Sequence, residues 1–253
     1  MCGIVGFVGQ PHEGQWNETH RILTALFLAS ESRRRDATGF VAQTQPLDGP
    51  RNGSLVLAKE SITASEFVES NARWRRLRHQ RSAAVVGHVR EATHGKPEED
   101  RNNHPFISDL RKLFLVHNGV LTNHGELADR HALHLESDCD SEVLLRMVEA
   151  ARHPAVGLQQ CLREAEGSMA VSVLDAKAHL VWLARNRGRP LWLARLRRDR
   201  RLFFASTGTI LLTALGQVLG ADRAKRLDYF APVPEHTPLA ISPDGRIIAP
   251  LAE

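Results

Sequence analysis

The sequence predicts an α+β fold of packed antiparallel sheets with helices on the outside. Runs of strand pattern alternate with runs of helix pattern, without the strict βαβ units that a parallel sheet requires. Ala83 to Val89 and Leu113 to Val116 are strongly apolar and β-prone, as buried central strands are. The second half is strand-rich, and short turns separate its strands.

In chain order, Cys2 to Val8 is a short apolar strand with glycines at Gly3 and Gly6. Asn17 is a candidate cap for a helix whose apolar face runs through Ile22, Leu23, Leu26 and Phe27. Gly39 to Thr44 and Ser54 to Lys59 read as a hairpin across a turn rich in Pro, Asp, Gly and Asn. One helix is expected from Ala64 to His79. The polar stretch Glu91 to Asn103, with Gly95 and Pro97 as breakers, is a loop. Helices follow at Asn123 to Arg130 and Ser141 to Arg152. Strands are expected at Met169 to Leu174, Leu180 to Ala184, Leu191 to Leu196 and Leu202 to Ser206, then a helix from Thr209 to Leu219. With no linker or repeat, residues 1–253 are expected to form a single domain.

Composition limits the function classes. The hydrophobic fraction of 42% and charged fraction of 25% are those of a globular protein with a sizeable core. No apolar run is long enough to span a bilayer, and the N-terminus lacks the basic start of a signal peptide. Three cysteines do not make a disulfide framework, which points to a reducing, cytoplasmic setting. A net charge of +4 is weak support for nucleic-acid binding, and the arginine tracts read as solvated faces. No metal-ligand spacing surrounds Cys139 or Cys161. No cofactor is expected, and the oligomeric state is open.

The chemistry begins at Cys2. Methionine is commonly trimmed before a small residue, and trimming here leaves a thiol and a free α-amine on one residue. The amine titrates near ~8 and the thiol near ~8.5, so the amine can take the thiol proton. Thiolate attack on an amide needs oxyanion donors, and Asn118-Gly119 offers a side-chain amide beside a backbone N–H. The same dipeptide is a strong hairpin-turn signal, which is the competing local reading. Arg90 at a strand end can fork to a carboxylate, or serve as a surface ion pair. Asp140 can take an ammonium, or cap the helix that follows it.

Seven segments in order resemble the class II (N-terminal-nucleophile) glutamine amidotransferases, specifically the glutaminase domain of glucosamine-6-phosphate synthase. They are Met1 to Gly6, Arg33 to Phe40 (RRRDATGF), Gly87 to Gly95 (GHVREATHG), Asn103-His104-Pro105, His117 to Glu126 (HNGVLTNHGE), Ser137 to Glu142 (SDCDSE) and Phe204-Ala205-Ser206. The resemblance covers roughly residues 1 to 220. It implies a four-layer αββα sandwich of two antiparallel sheets. It implies Cys2 as nucleophile, Asn118 and Gly119 as the oxyanion hole, Arg90 on the substrate carboxylate and Asp140 on its ammonium. Thr93 and His94 would line a loop closing over glutamine, His104 would brace that loop, and Arg33 would order the N-terminus. Where the family has an aromatic after the arginine, this chain has Glu91.

The leading expectation is therefore a free-standing glutaminase that passes ammonia to a separate acceptor enzyme. A second reading keeps the chemistry but takes another γ-glutamyl amide or N-acyl compound. A third is a non-catalytic regulatory or partner-binding protein of the same fold, which would require a lost nucleophile or oxyanion donor. No nucleic acid or membrane partner is expected.

Overall fold

A computed structural model describes residues 3–31, 36–45, 53–91, 94–108 and 110–248. Two antiparallel sheets stack face to face. The first has the order β11-β9-β10-β1-β4-β2-β3, built from β1 (Gly3–Val8), β2 (Ala37–Thr44), β3 (Leu55–Glu60), β4 (Ser82–Arg90), β9 (Trp192–Leu196), β10 (Leu202–Ala205) and β11 (Leu227–Pro232). The second has the order β13-β12-β8-β7-β6-β5, from β5 (Phe106–Ser108), β6 (Leu113–Leu121), β7 (Gly167–Asp175), β8 (Leu180–Arg185), β12 (Leu239–Ile241) and β13 (Ile247–Ile248).

The two-residue period of a strand builds the layers. In β1, Ile4 and Val8 enter the core between the sheets, where Val86, Val116 and Phe204 also lie. Val5 and Phe7 point the other way, into a core covered by α1 (Glu13–Ser30), α2 (Ala64–Ser70), α3 (Ala72–Leu77) and α7 (Gly208–Leu219). On the far side, Leu115, Val171 and Val173 of the second sheet meet α4 (His124–Arg130), α5 (Glu142–Ala150) and α6 (Pro154–Glu164). The result is the α+β, αββα sandwich of the N-terminal-nucleophile hydrolases.

Several local expectations are corrected. The first helix starts at Glu13, a turn before Asn17, because Trp16 belongs to its buried face and donates from Nε1 to Leu77 O at 2.9 Å. His12 is its N-cap residue, and the His12 N–H donates to Gln15 Oε1 at 3.2 Å. The helix expected over Ala64 to His79 is broken at Asn71, whose ψ of 116° is extended. Asn71 Oδ1 then accepts the Trp74 N–H at 2.8 Å and caps α3. The helix α6 was not foreseen. Neither were α8 (Arg223–Arg226), β11, β12 and β13, which extend the edges of both sheets. Arg201, expected on a solvated face, is 1% exposed. Its NH1 donates to Gln15 O and Thr19 Oγ1 and its NH2 to Glu18 and Asp199, and these charged and polar partners offset the cost of burying the cation. Among the described residues, no helix is long and apolar enough to cross a membrane.

Candidate active site

The site gathers where β1 begins and β4 ends. Gly3 pairs with Val89, so the start of the chain lies beside the strand end that carries Arg90. Ser206, just past β10, extends the pairing by one residue. Its N–H donates to Ile4 O at 2.9 Å, and its Oγ accepts the Ile4 N–H at 2.8 Å. The same Oγ accepts from Asn118 Nδ2 at 3.0 Å. Asn118 belongs to the second sheet, so this hydroxyl joins the two sheets at the N-terminus. Cys2, Arg33 and Thr93 lie outside the described residues.

Asn118 and Gly119 do not form a turn. They lie inside β6, paired with Ala170 and Met169 of β7. Alternation sends Val116 and Asn118 into the space between the sheets, while His117 faces α5 and bonds Ser141 Oγ through Nδ1 at 2.8 Å. At Gly119 a Cβ would sit 1.8 Å from Ser168 O and 2.4 Å from His117 Nε2, so the backbones require glycine here.

Arg90 is 3% exposed and holds the following loop. Its NH1 donates to Asn103 Oδ1 at 2.8 Å, and its NH2 donates to His94 O and, at 3.1 Å, to Gly95 O. Asn103 is the hub of this loop, donating from Nδ2 to Pro97 O at 2.6 Å and accepting Lys59 Nζ on its carbonyl at 2.9 Å. The surface-pair alternative for Arg90 is excluded by its burial. With both NH2 hydrogens on loop carbonyls, a two-point grip on a carboxylate requires that loop to yield one of them.

Asp140 is 1% exposed and is not the helix cap; that position is Ser141. Its Oδ2 accepts the Leu121 N–H at 2.7 Å, two residues beyond Gly119. Its Oδ1 has only distant neighbours among the described residues: Ser141 Oγ at 3.4 Å, Cys139 Sγ at 3.7 Å and His94 Nδ1 at 4.0 Å. His94 also meets the His124 ring edge-on at 5.4 Å. Thus Arg90, His94, Asp140, Asn118 and Gly119 form one connected set. His104 stands behind it: its ring packs 4.1 Å from His88 and 4.8 Å from Phe106, with 4% exposure.

The histidines below the site are neutral. Burial pushes His88 down to about 3 and lowers His104 well below its usual value, with neighbouring cations adding to both shifts; burial also lowers His117, against the opposing pull of the Asp140 carboxylate. An unfolded chain would protonate these rings near 6.5, whereas the folded protein does not. Stability is therefore full above pH 6.5 and falls as pH drops below it, by roughly 1 kcal/mol per pH unit from His88 alone, with His104 and His117 acting in the same direction. The urea midpoint is expected to fall clearly between pH 7.5 and 5. An unchanged midpoint would mean that the rings are solvated.

Sequence reasoning did not assign Ser206, His117, Ser141 or the hub role of Asn103. Ser206 and Asn103 sit inside segments that carried the family resemblance, but their partners are remote in sequence.

This geometry is that of an N-terminal-nucleophile hydrolase-type sandwich. Residues 88–213 match the family described as a glutamine amidotransferase domain. A glutamine–fructose-6-phosphate aminotransferase (isomerizing) of Bacillus thuringiensis subsp. konkukian is 30% identical over 198 residues, which is 74% of this chain and 29% of that protein. The same enzyme of Chlorobaculum tepidum is 28% identical over 206 residues, 76% of this chain and 30% of that protein. The chain thus spans about three tenths of the length of these curated relatives. Among solved structures, a glutamine phosphoribosylpyrophosphate amidotransferase from B. subtilis superposes with a TM-score of 0.73 at 20% identity, over 98% of this chain and 48% of that one; it shares the fold. Residues 88–213 of this chain are thus a glutamine amidotransferase domain, and the chain as a whole shares the fold of the phosphoribosylpyrophosphate amidotransferase.

Proposed function

We propose that this protein hydrolyses the side-chain amide of L-glutamine, with Cys2 as nucleophile after removal of Met1. The observation that supports it best is the buried Asp140 carboxylate, whose Oδ1 accepts only long hydrogen bonds among the described residues, from Ser141 Oγ at 3.4 Å and Cys139 Sγ at 3.7 Å, while its Oδ2 is tied to β6 beside Asn118 and Gly119. A buried carboxylate so placed is costly alone, and a substrate ammonium would offset that cost. Such an ammonium would be held within a few residues of the oxyanion donors, as an α-amino acid amide requires.

In this reading the α-amine of Cys2 takes the thiol proton, and Sγ attacks the amide carbon. The oxyanion is held by the second Nδ2–H of Asn118 and the Gly119 N–H. The proton then passes to the leaving nitrogen, ammonia departs, and a γ-glutamyl thioester remains. Water hydrolyses the thioester to glutamate and restores the thiol. Arg90 takes the substrate carboxylate by exchanging one of its loop carbonyls, and Thr93 and His94 cover the bound amino acid. Arg33 orders the N-terminus, and His104 stays beneath the loop as a brace. A reducing, cytoplasmic setting suits the thiol. The ammonia is passed to an acceptor enzyme, a reading supported by the word aminotransferase in the relatives' names.

The test is glutamate release from L-glutamine by purified protein, beside a panel of γ-glutamyl amides. Glutamine is expected to be turned over with a free Cys2 amine. Cleavage of the other amides without glutamine would replace the substrate; no cleavage of any would remove the proposal.

A further inference from the structure

We propose that Ser206 is a positioning residue that orients the Asn118 amide toward the nucleophile, an inference that rests on the glutaminase reading. A serine hydroxyl has two acceptor positions and one proton. Here both acceptor positions are filled, by the Ile4 N–H at 2.8 Å and by Asn118 Nδ2 at 3.0 Å. All of this is buried, with Ser206 at 2% and Asn118 at 3% exposure, so water does not compete.

Two consequences follow from that geometry. An asparagine amide can present either its oxygen or its nitrogen to a given side, and only the nitrogen stabilises an oxyanion. By accepting one Nδ2 hydrogen, Ser206 fixes the nitrogen on the side of β1 and leaves the other hydrogen to donate. Ser206 also grips Ile4 at both backbone groups, because its own N–H donates to Ile4 O at 2.9 Å. Ile4 is joined to Cys2 through Gly3 alone, so the donor and the nucleophile-bearing strand are referred to one atom, Ser206 Oγ. A preorganised donor of this kind acts on the transition state more than on the bound substrate.

The experiment is a double-mutant cycle on glutamate release, with Ser206→Ala, Asn118→Ala and the pair. Ser206→Ala is expected to lower kcat about 30-fold with KM for glutamine changed less than about threefold, because Arg90 and Asp140 are untouched. In the Asn118→Ala background the same change should cost less than about threefold, since Ser206 acts through Asn118. Additive losses, or a raised KM with unchanged kcat, would overturn the proposal.

A second measurement does not depend on turnover. The Asn118 Nδ2 proton pair, followed by NMR, should show one exchange-protected proton in the parent that loses protection in Ser206→Ala. Equal protection in both would also overturn the proposal. Ser206→Cys keeps the volume and weakens the acceptor, and gives the same reading if the alanine variant does not fold. If the parent fails to hydrolyse glutamine but the proton behaves as expected, the clamp stands and the glutaminase reading falls.

Discussion

Cys2→Ala is expected to lower glutamate release at least about 10⁴-fold, because in the proposed mechanism one residue is both nucleophile and base and takes the whole reaction with it. A form with an uncleaved N-terminal extension should lose activity to a similar degree. Its thiol is intact, but its α-amine is a peptide nitrogen and cannot accept a proton. The pair of results separates the two roles of one residue. Retention of more than about 1% activity by Cys2→Ala would exclude the thiol as nucleophile. Full activity in the extended form would leave the thiol but require another base. The thermal midpoint of each variant serves as the control for folding.

The second large effect concerns stability. Gly119→Ala should destabilise the protein by about 3 kcal/mol, because the added methyl meets backbone rather than a yielding side chain. The Cβ would lie 1.8 Å from Ser168 O, inside the long β6–β7 ladder that spans Leu113 to Leu121. Relief requires those strands to part beside Asn118. Gly125 is the internal comparison: it lies in α4, and a Cβ there would meet nothing within 4 Å. Gly125→Ala should be neutral or stabilise by about 0.5–1 kcal/mol, as alanine does in a helix. Urea midpoints of the two variants check this, and equal midpoints would contradict the close approach at Gly119.

Strand patterns were legible wherever period-two alternation or a continuous apolar run was strong. Ser82–Arg90, Gly167–Asp175 and Leu180–Arg185 fall where apolar, β-prone residues place them. Helix ends were less legible, because caps are side-chain decisions. Asn71 breaks one expected helix by bonding the Trp74 N–H, and nothing in its neighbours announces that choice. The dipeptide Asn118-Gly119 was ambiguous for a clear reason. Its local preference is a turn, and only pairing with β7, remote in sequence, shows a strand partner at Met169 and Ala170. Arg90 illustrates the other limit. Its residue type and position at a strand end pointed to a carboxylate, but its bonds to Asn103 Oδ1 and the His94 and Gly95 carbonyls depend on a loop path that sequence does not encode visibly. The family resemblance supplied the residues of the site, and the physics of the residues alone left Arg90, Asp140 and Asn118 with two readings each.

The central position of β1 bears on how the protein matures. Its neighbours in the sheet are β4 and β10, and Ile4 meets Ser206 across 202 residues of chain. At a synthesis rate of about 5–20 residues per second, the strand that follows Cys2 waits on the order of 10–40 s before its second partner leaves the ribosome. During that interval one edge of β1 is still unpaired, and an aminopeptidase can reach Met1. Once β10 docks and Ser206 closes on Ile4, the strand is enclosed on both edges. If Met1 is removed as the proposed function requires, topology sets the order: trimming belongs to the interval before β10 docks, while β1 is paired on one edge only.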